Sequence, residues 1–311
     1  MLVKRLVAAL VAVALVGGAL WLRSSRDDTA SDDGTATTTT PSPAQSIICV
    51  PELEAACRAA AADNPGPVLW ATLASFPELV DDLRGRAGRA PLFAAGTQAL
   101  ASSKLVLVGR TPQMEVLSAH CGGELTWRCL GDVAGRPWTD IGGQAAWRDV
   151  KPAHEAPDSS GTGLLTFANA VVSWFGRTDI GTVDLADEAF QDWVRRLERS
   201  IPSFGGPQGT PFDQLLLLPS PNVVGTTEAE VEAKAGARRG ELTVTYPAPM
   251  AQADAVLASA AGTSVPDGLA ASLGEALQAG TWDPPSAAPP GGLPAPPVLQ
   301  ALRQLWTGVV R

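Results

Sequence analysis

Leu100-Ala101-Ser102-Ser103-Lys104-Leu105-Val106-Leu107-Val108 is the stretch on which the reading of the fold turns. Its last four residues are continuously apolar, where a strand with one wet face would alternate. Residues 105–108 therefore read as a strand covered on both faces, as in a parallel sheet. Outward from it, strand and helix signals alternate. Toward the N-terminus, 47–50 is a short apolar strand and 51–62 a helix with Pro51 and Glu52 in its first turn. Residues 68–73 form a second strand and 76–83 a second helix. Toward the C-terminus, 114–118 is helical, 149–153 extended and 162–175 a strong helix. Residues 184–199 form another helix, with Phe190, Trp193, Val194 and Leu197 at helical spacing. Residues 212–218 are apolar, 223–224 a short strand and 228–237 a polar helix. The 241–246 segment alternates like a half-exposed strand, and 255–260 is a further strand. A helix over 269–277, a Pro- and Gly-rich loop over 283–297 and an amphipathic helix over 298–310 complete the chain. Strands alternating with helices specify an α/β fold with right-handed crossovers.

The N-terminus differs in kind. Lys4 and Arg5 precede an uncharged apolar run over 6–22, and Arg23 and Arg26 follow it. As a helix such a run rises about 25 Å, close to a hydrocarbon core. A cleaved signal peptide would end in small residues, whereas this run ends in Ala19, Leu20, Trp21 and Leu22, with no cysteine to lipidate. Trp21 and Arg23 suit a retained anchor. Residues 1–26 are thus expected to be a signal anchor, a transmembrane helix preceding the folded part. Residues 27–45, rich in Asp, Ser, Gly and Thr, are expected to be a disordered linker. The folded module is then extracellular on a single-pass protein of the cell membrane, or secreted if the segment is cleaved.

Bulk properties narrow the function. A chain of 311 residues with 45% hydrophobic content buries a core large enough for two lobes. Net charge −9 and lysine confined to Lys4, Lys104, Lys151 and Lys234 argue against nucleic acid, which needs a basic stripe. Cys49 with Cys57 and Cys121 with Cys129 repeat one spacing, and these two local pairings are the expected disulfides of an oxidising compartment. Zinc is the alternative, but no Cys-x-x-Cys or nearby histidine pair supports it.

Several strings, in order, resemble the extracellular solute-binding proteins of ABC transporters. The similar group is the molybdate/sulfate-like branch and its actinobacterial von Willebrand A-associated relatives. The strings are residues 100–108, Lys151-Pro152, Pro157-Asp158-Ser159-Ser160-Gly161-Thr162-Gly163, Asn222-Val223-Val224-Gly225-Thr226-Thr227-Glu228 and Leu242-Thr243-Val244-Thr245-Tyr246-Pro247. The resemblance spans residues 46–280 and no von Willebrand domain is expected. It implies a two-lobed α/β fold of the periplasmic-binding-protein kind, its lobes joined by two crossing strands at 105–110 and 242–247. Lobe 1 is then 46–108 plus 243–311, and lobe 2 is 109–242. It also implies a small-molecule ligand in the cleft and an ABC permease as partner, with no cofactor.

The leading ligand-binding candidates are Ser159, Ser160, Gly161 and Thr162. A glycine-containing turn entering a helix presents unpaired N–H groups and the positive end of the helix dipole, which suits an oxyanion or carboxylate. An ordinary helix cap has the same residue preferences. Ser102 and Ser103, before the first crossing strand, and Tyr246, at the return, are further candidates; a turn and a packed phenol are their plain alternatives. Glu52 in the first strand–helix turn departs from the family pattern, and Asp158 would repel a dianion. Trp70, Trp127, Trp138 and Trp147 are the tryptophans left to face a cleft.

An enzyme is not the reading favoured. His120 adjoins Cys121, but sequence neighbours seldom face one another, and Cys121 has a disulfide partner in prospect. Ser159 or Ser160 with His154 lacks a Gly-x-Ser-x-Gly elbow. No metal cluster is evident. The rival is a sensor or structural module of the cell envelope that kept the binding-protein fold without transport.

Overall fold

The computed structural model describes residues 47–53, 69–93, 97–203, 209–287 and 291–310, all within one compact unit, Pro43–Arg311. The expected anchor over 1–26, the linker over 27–45, most of the helix over 51–62 and the Cys49–Cys57 pairing lie outside these residues. In chain order the strands are β1 (Ile47–Cys49), β2 (Leu69–Leu73), β3 (Gln98–Arg110), β4 (Pro152–Ala153), β5 (Val223–Thr227), β6 (Leu242–Thr245) and β7 (Gln252–Ser259). The helices are α1 (Ser75–Arg86), α2 (Thr111–His120), α3 (Trp127–Val133), α4 (Gly161–Phe175), α5 (Glu188–Ser200), α6 (Pro211–Leu217), α7 (Glu228–Lys234), α8 (Leu269–Ala279) and α9 (Pro296–Val310). Among the described residues no helix is long and apolar enough to cross a membrane.

One sheet carries the unit, in the order β1-β2-β7-β3-β5-β4, with β6 also on β3. The quoted stretch lies inside β3, and its side chains, Lys104 excepted, are buried on both faces. Val106 and Val108 join one core with Phe212 and Val224, while Leu105 and Leu107 join another with Phe167 and Trp193. The expectation of parallel pairing is corrected: β3 is antiparallel to β5, to β6 and to β7. Cover on both faces, not parallel pairing, makes the run continuously apolar. Parallel pairing is found for β1 with β2 and β4 with β5.

Register explains how the sheet becomes two sections. Residues 98–104 of β3 pair with β7, while residues 105–109 pair with β5 on one edge and 107–110 with β6 on the other. β6 and β7 thus follow each other along one edge of β3, a return path antiparallel to the outgoing one. The crossing expected at 105–110 begins further back, at Gln98.

Two helices were not expected. Residues 212–218 read only as apolar, yet α6 carries a capping box, Thr210 with Asp213, and Pro211 in its first turn. α3 is short and capped by Thr126, whose hydroxyl accepts from the Cys129 N–H at 3.2 Å. Its Gly131 makes room for an indole, since a Cβ there would lie 2.4 Å from the Trp193 ring. The Cys121–Cys129 disulfide ties the end of α2 to α3, with sulfurs 1.96 Å apart. Replacing both cysteines by alanine should lower stability by about 2–3 kcal/mol, the entropy of a short closed loop. Urea denaturation of the double variant measures this.

The largest core runs without interruption from Leu73 and Leu79 through Leu105 and Leu107 to α4 and α5, and on to Leu299 and Leu302 of α9. α9 packs on α1, α4 and α5 together, so the last helix bridges elements on both sections of the sheet.

Candidate functional site

A cavity of about 1060 Å³ opens between the two sections. Its wall takes Glu52 from the turn after β1, residues 154–162 from the approach to α4, Glu198 from α5, residues 226–234 from β5 and α7, residues 276–282 from the end of α8, and Trp306 from α9.

The N-terminus of α4 is built as its sequence suggests. Ser160 has extended backbone, φ −127 and ψ 134, and its Oγ accepts from the Gly163 N–H at 2.9 Å. Gly163 is required here, because a Cβ would lie 2.4 Å from the Glu155 carbonyl oxygen. The exposed N–H groups, however, already hold an anion. Glu52, arriving from beside β1, places Oε1 2.8 Å from the Thr162 N–H and 3.0 Å from Ser160 Oγ. A carboxylate from within the chain occupies the position that the turn offered to an oxyanion.

Proton counting sharpens this. Ser160 Oγ also lies 2.7 Å from Glu155 Oε2. A hydroxyl has one proton to donate, and two carboxylate oxygens face it, so the second contact needs a carboxyl proton. Burial favours neutral Glu155 and raises its pKa; the Ser160 bond opposes this, and the charges of Glu230 and Glu52 add to it.

Beside this pair lies a second buried network. His154 Nδ1 is 2.7 Å from the Glu155 carbonyl oxygen and Nε2 is 2.9 Å from Glu198 Oε1. Both ring nitrogens face acceptors, the pattern of an imidazolium. Burial works against that charge, but the Glu198 carboxylate and the Glu155 carbonyl outweigh it and raise the His154 pKa. The two side chains are 1% and 2% exposed. The second Glu198 oxygen accepts from Trp306 Nε1 at 2.7 Å, fastening α9 to α5. Across the cavity, Glu230 is held by Lys234 at 2.8 Å and by the hydroxyls of Thr210 and Thr226. Lys234 also reaches Asp213 at 2.9 Å.

Of the sequence candidates, Ser159, Ser160 and Thr162 line the cavity, and Gly161 packs at the turn against Leu73 and Glu52. Ser102, Ser103 and Tyr246 do not line it. The two serines lie within β3 and spend their hydroxyls internally: Ser102 donates to the Pro284 carbonyl at 2.9 Å, and Ser103 accepts from the Ala229 N–H at 2.9 Å. Tyr246 donates to Glu228 and sits under Lys104, on a separate cavity of about 430 Å³. Trp127 and Trp138 are core residues, Trp147 packs on Trp138 and Trp70 on Phe93. The tryptophans on the cavity wall are instead Trp282 and Trp306. Among the described residues no group of three or more His, Cys, Asp or Glu is arranged to hold a metal ion. Among the described residues no serine is paired with His154, whose nitrogens are both engaged elsewhere.

No family model and no curated protein matches the sequence. Solved structures do. A Bordetella parapertussis protein assigned to the extracellular solute-binding proteins superposes with a TM-score of 0.50 and 13% identity, over 83% of this chain and 87% of that one. A periplasmic thiamin-binding protein gives 0.46 and 12%, over 78% of each chain. The sulfate-binding protein of Mycobacterium tuberculosis H37Rv gives 0.40 and 18%, over 82% of this chain and 72% of that one. The first likeness shows the mixed α/β fold of the periplasmic solute-binding proteins. At such identity it speaks for fold, while function is argued from the site.

Proposed function

We propose that the chain is an extracytoplasmic solute-binding protein, held at the membrane by residues 1–26 and binding a small molecule between its lobes. We take lobe 1 as residues 46–108 plus 243–311 and lobe 2 as 109–242. One observation carries the reading: a cavity of about 1060 Å³ lies where the two sections of the sheet meet and is walled by polar groups from both. Ligand sites concentrate a few convergent polar groups in a concave, largely preformed space of this size. Those groups are arranged for holding and not for turnover. His154 is fully engaged and Ser160 caps a helix, so neither is a free nucleophile or base. Delivery to an ABC permease follows if transport is retained. The placement in the molybdate/sulfate-like branch draws the least support from the cavity, because an oxyanion at the α4 turn would have to displace Glu52.

A thermal-shift screen of the full-length chain in detergent against oxyanions, amino acids, sugars, organic cations and metal ions tests the proposal. A ligand at one hundred times its Kd adds about 2.7 kcal/mol, several degrees of Tm. A folded protein that responds to none of them would instead be the envelope scaffold or sensor. Two observations favour that second reading: the core continuous across both sections and the bridging α9 both restrain lobe movement.

A further inference from the structure

Resting on the solute-binding reading, the charges on the cavity wall point to the class of solute. The ionisable groups there are Glu52, Glu155, Glu198 and Glu230 against His154 and Lys234. Glu198 is matched by His154. Glu230 shares Lys234 with Asp213 from outside the wall. Glu52 and Glu155 remain: they share one proton through Ser160, the Lys234 charge acts on Glu155 only through space, and among the described residues no lysine or arginine forms an ion pair with either. Their donors are the Ser160 hydroxyl, which both face, and the Thr162 N–H, which Glu52 takes. Glu52 Oε2 accepts no hydrogen bond and is out of contact with solvent, an exception for a buried carboxylate oxygen, so a donor from the cavity meets it once the carboxylate turns outward. Ser159, Ser160 and Thr162 add hydroxyls but no positive charge.

We propose that this cavity takes a small organic cation, its charged nitrogen donating to Glu52 and Glu155 and its carbon skeleton lying toward Trp282 and Trp306. A protonated amine supplies the donors that the two carboxyl groups lack and takes the place of the proton that they share. The indoles offer apolar surface for its carbon skeleton. A bare metal ion would leave most of the cavity empty. An anionic solute would meet this acidic pair with no ion-paired cation beside it, and its place on α4 is filled.

The test is isothermal titration of the full-length chain with putrescine, agmatine and spermidine, set beside sulfate, acetate and mannitol. Glu52→Gln and Glu155→Gln are titrated in parallel, each checked for native circular dichroism and a cooperative melt. Glutamine keeps an acceptor for the Thr162 N–H, so the α4 cap survives. Saturable binding of a cationic probe, weakened about tenfold or more in both variants, is the expected result. Binding of an anionic or neutral probe alone would overturn the cation assignment and leave solute binding standing. Cation binding unchanged in both variants would overturn the assigned carboxylates. Millimolar concentrations of all six probes giving no heat with folded protein would count against the assignment and the reading beneath it. If one variant does not fold, the other decides.

Discussion

Glu198→Ala should destabilise the folded unit by about 3–5 kcal/mol at pH 6, the cost of breaking a buried ion pair by removing one partner. The geometry gives the reason. Glu198 serves two buried donors at once, His154 Nε2 at 2.9 Å and Trp306 Nε1 at 2.7 Å. Alanine strands both. The effect should depend on pH with a fixed sign. The folded-state pKa of His154 lies above its ordinary value, so the pair's contribution is complete below about 6.5, the unfolded value. It is lost as pH rises through the folded pKa. Without Glu198 the burial opposing the charge, the largest influence, is met only by the smaller pull of Glu155, and the variant weakens as pH falls. The gap between wild type and Glu198→Ala is therefore widest near pH 6 and narrows toward pH 9. Urea denaturation at both values measures it; a gap that is constant with pH would show that the imidazolium is not what Glu198 holds.

Trp193→Ala should cost a comparable amount, about 3–5 kcal/mol, by cavity formation, but with no such pH dependence. Trp193 is 0% exposed. Its indole fills the gap at Gly131, lies 5.3 Å from the Trp174 ring centre, and donates through Nε1 to the Arg128 carbonyl at 3.2 Å. This packing fixes α5 against α3 and α4, and α5 carries Glu198 to the cavity wall. The loss of stability should thus come with weaker solute binding, although Trp193 touches no ligand. Guanidinium melts at pH 6 and pH 9 separate the two effects: a pH-independent loss is packing, a pH-dependent one electrostatic.

How much of this the sequence disclosed depends on the range of the interaction. The run at 105–108 was legible as a doubly covered strand because burial on each face selects side chains locally. Its antiparallel partners were not, since they come from residues more than one hundred positions downstream. The α4 helix was legible from Ser160 and Gly161 at its start and the apolar residues behind them. α3 was hidden because a helix of seven residues shows barely two turns of pattern, and its Gly131 serves a tryptophan from another element. Ser102 and Ser103 are candidates for a cleft in the sequence, with a turn as the plain alternative; β3 begins at Gln98 and takes both into the strand. The site shows the same division. Ser159, Ser160 and Thr162 form a local motif. Glu52, Glu155, Glu198 and Glu230 come from separate places in the chain and meet only when the sheet crosses over, so no spacing announces them. Glu52 stood out as an unsuitable oxyanion ligand; its role as the internal anion of α4 needed the third dimension.

Hydrogen exchange of the full-length chain, with and without the solute that gives the largest thermal shift, tests the central claim most directly. A solute between the lobes must slow exchange in residues 154–162, 226–234 and 276–282 together, because each contributes to the cavity wall. Protection confined to one section of the sheet, or lying around Tyr246 and Lys104 instead, would contradict it.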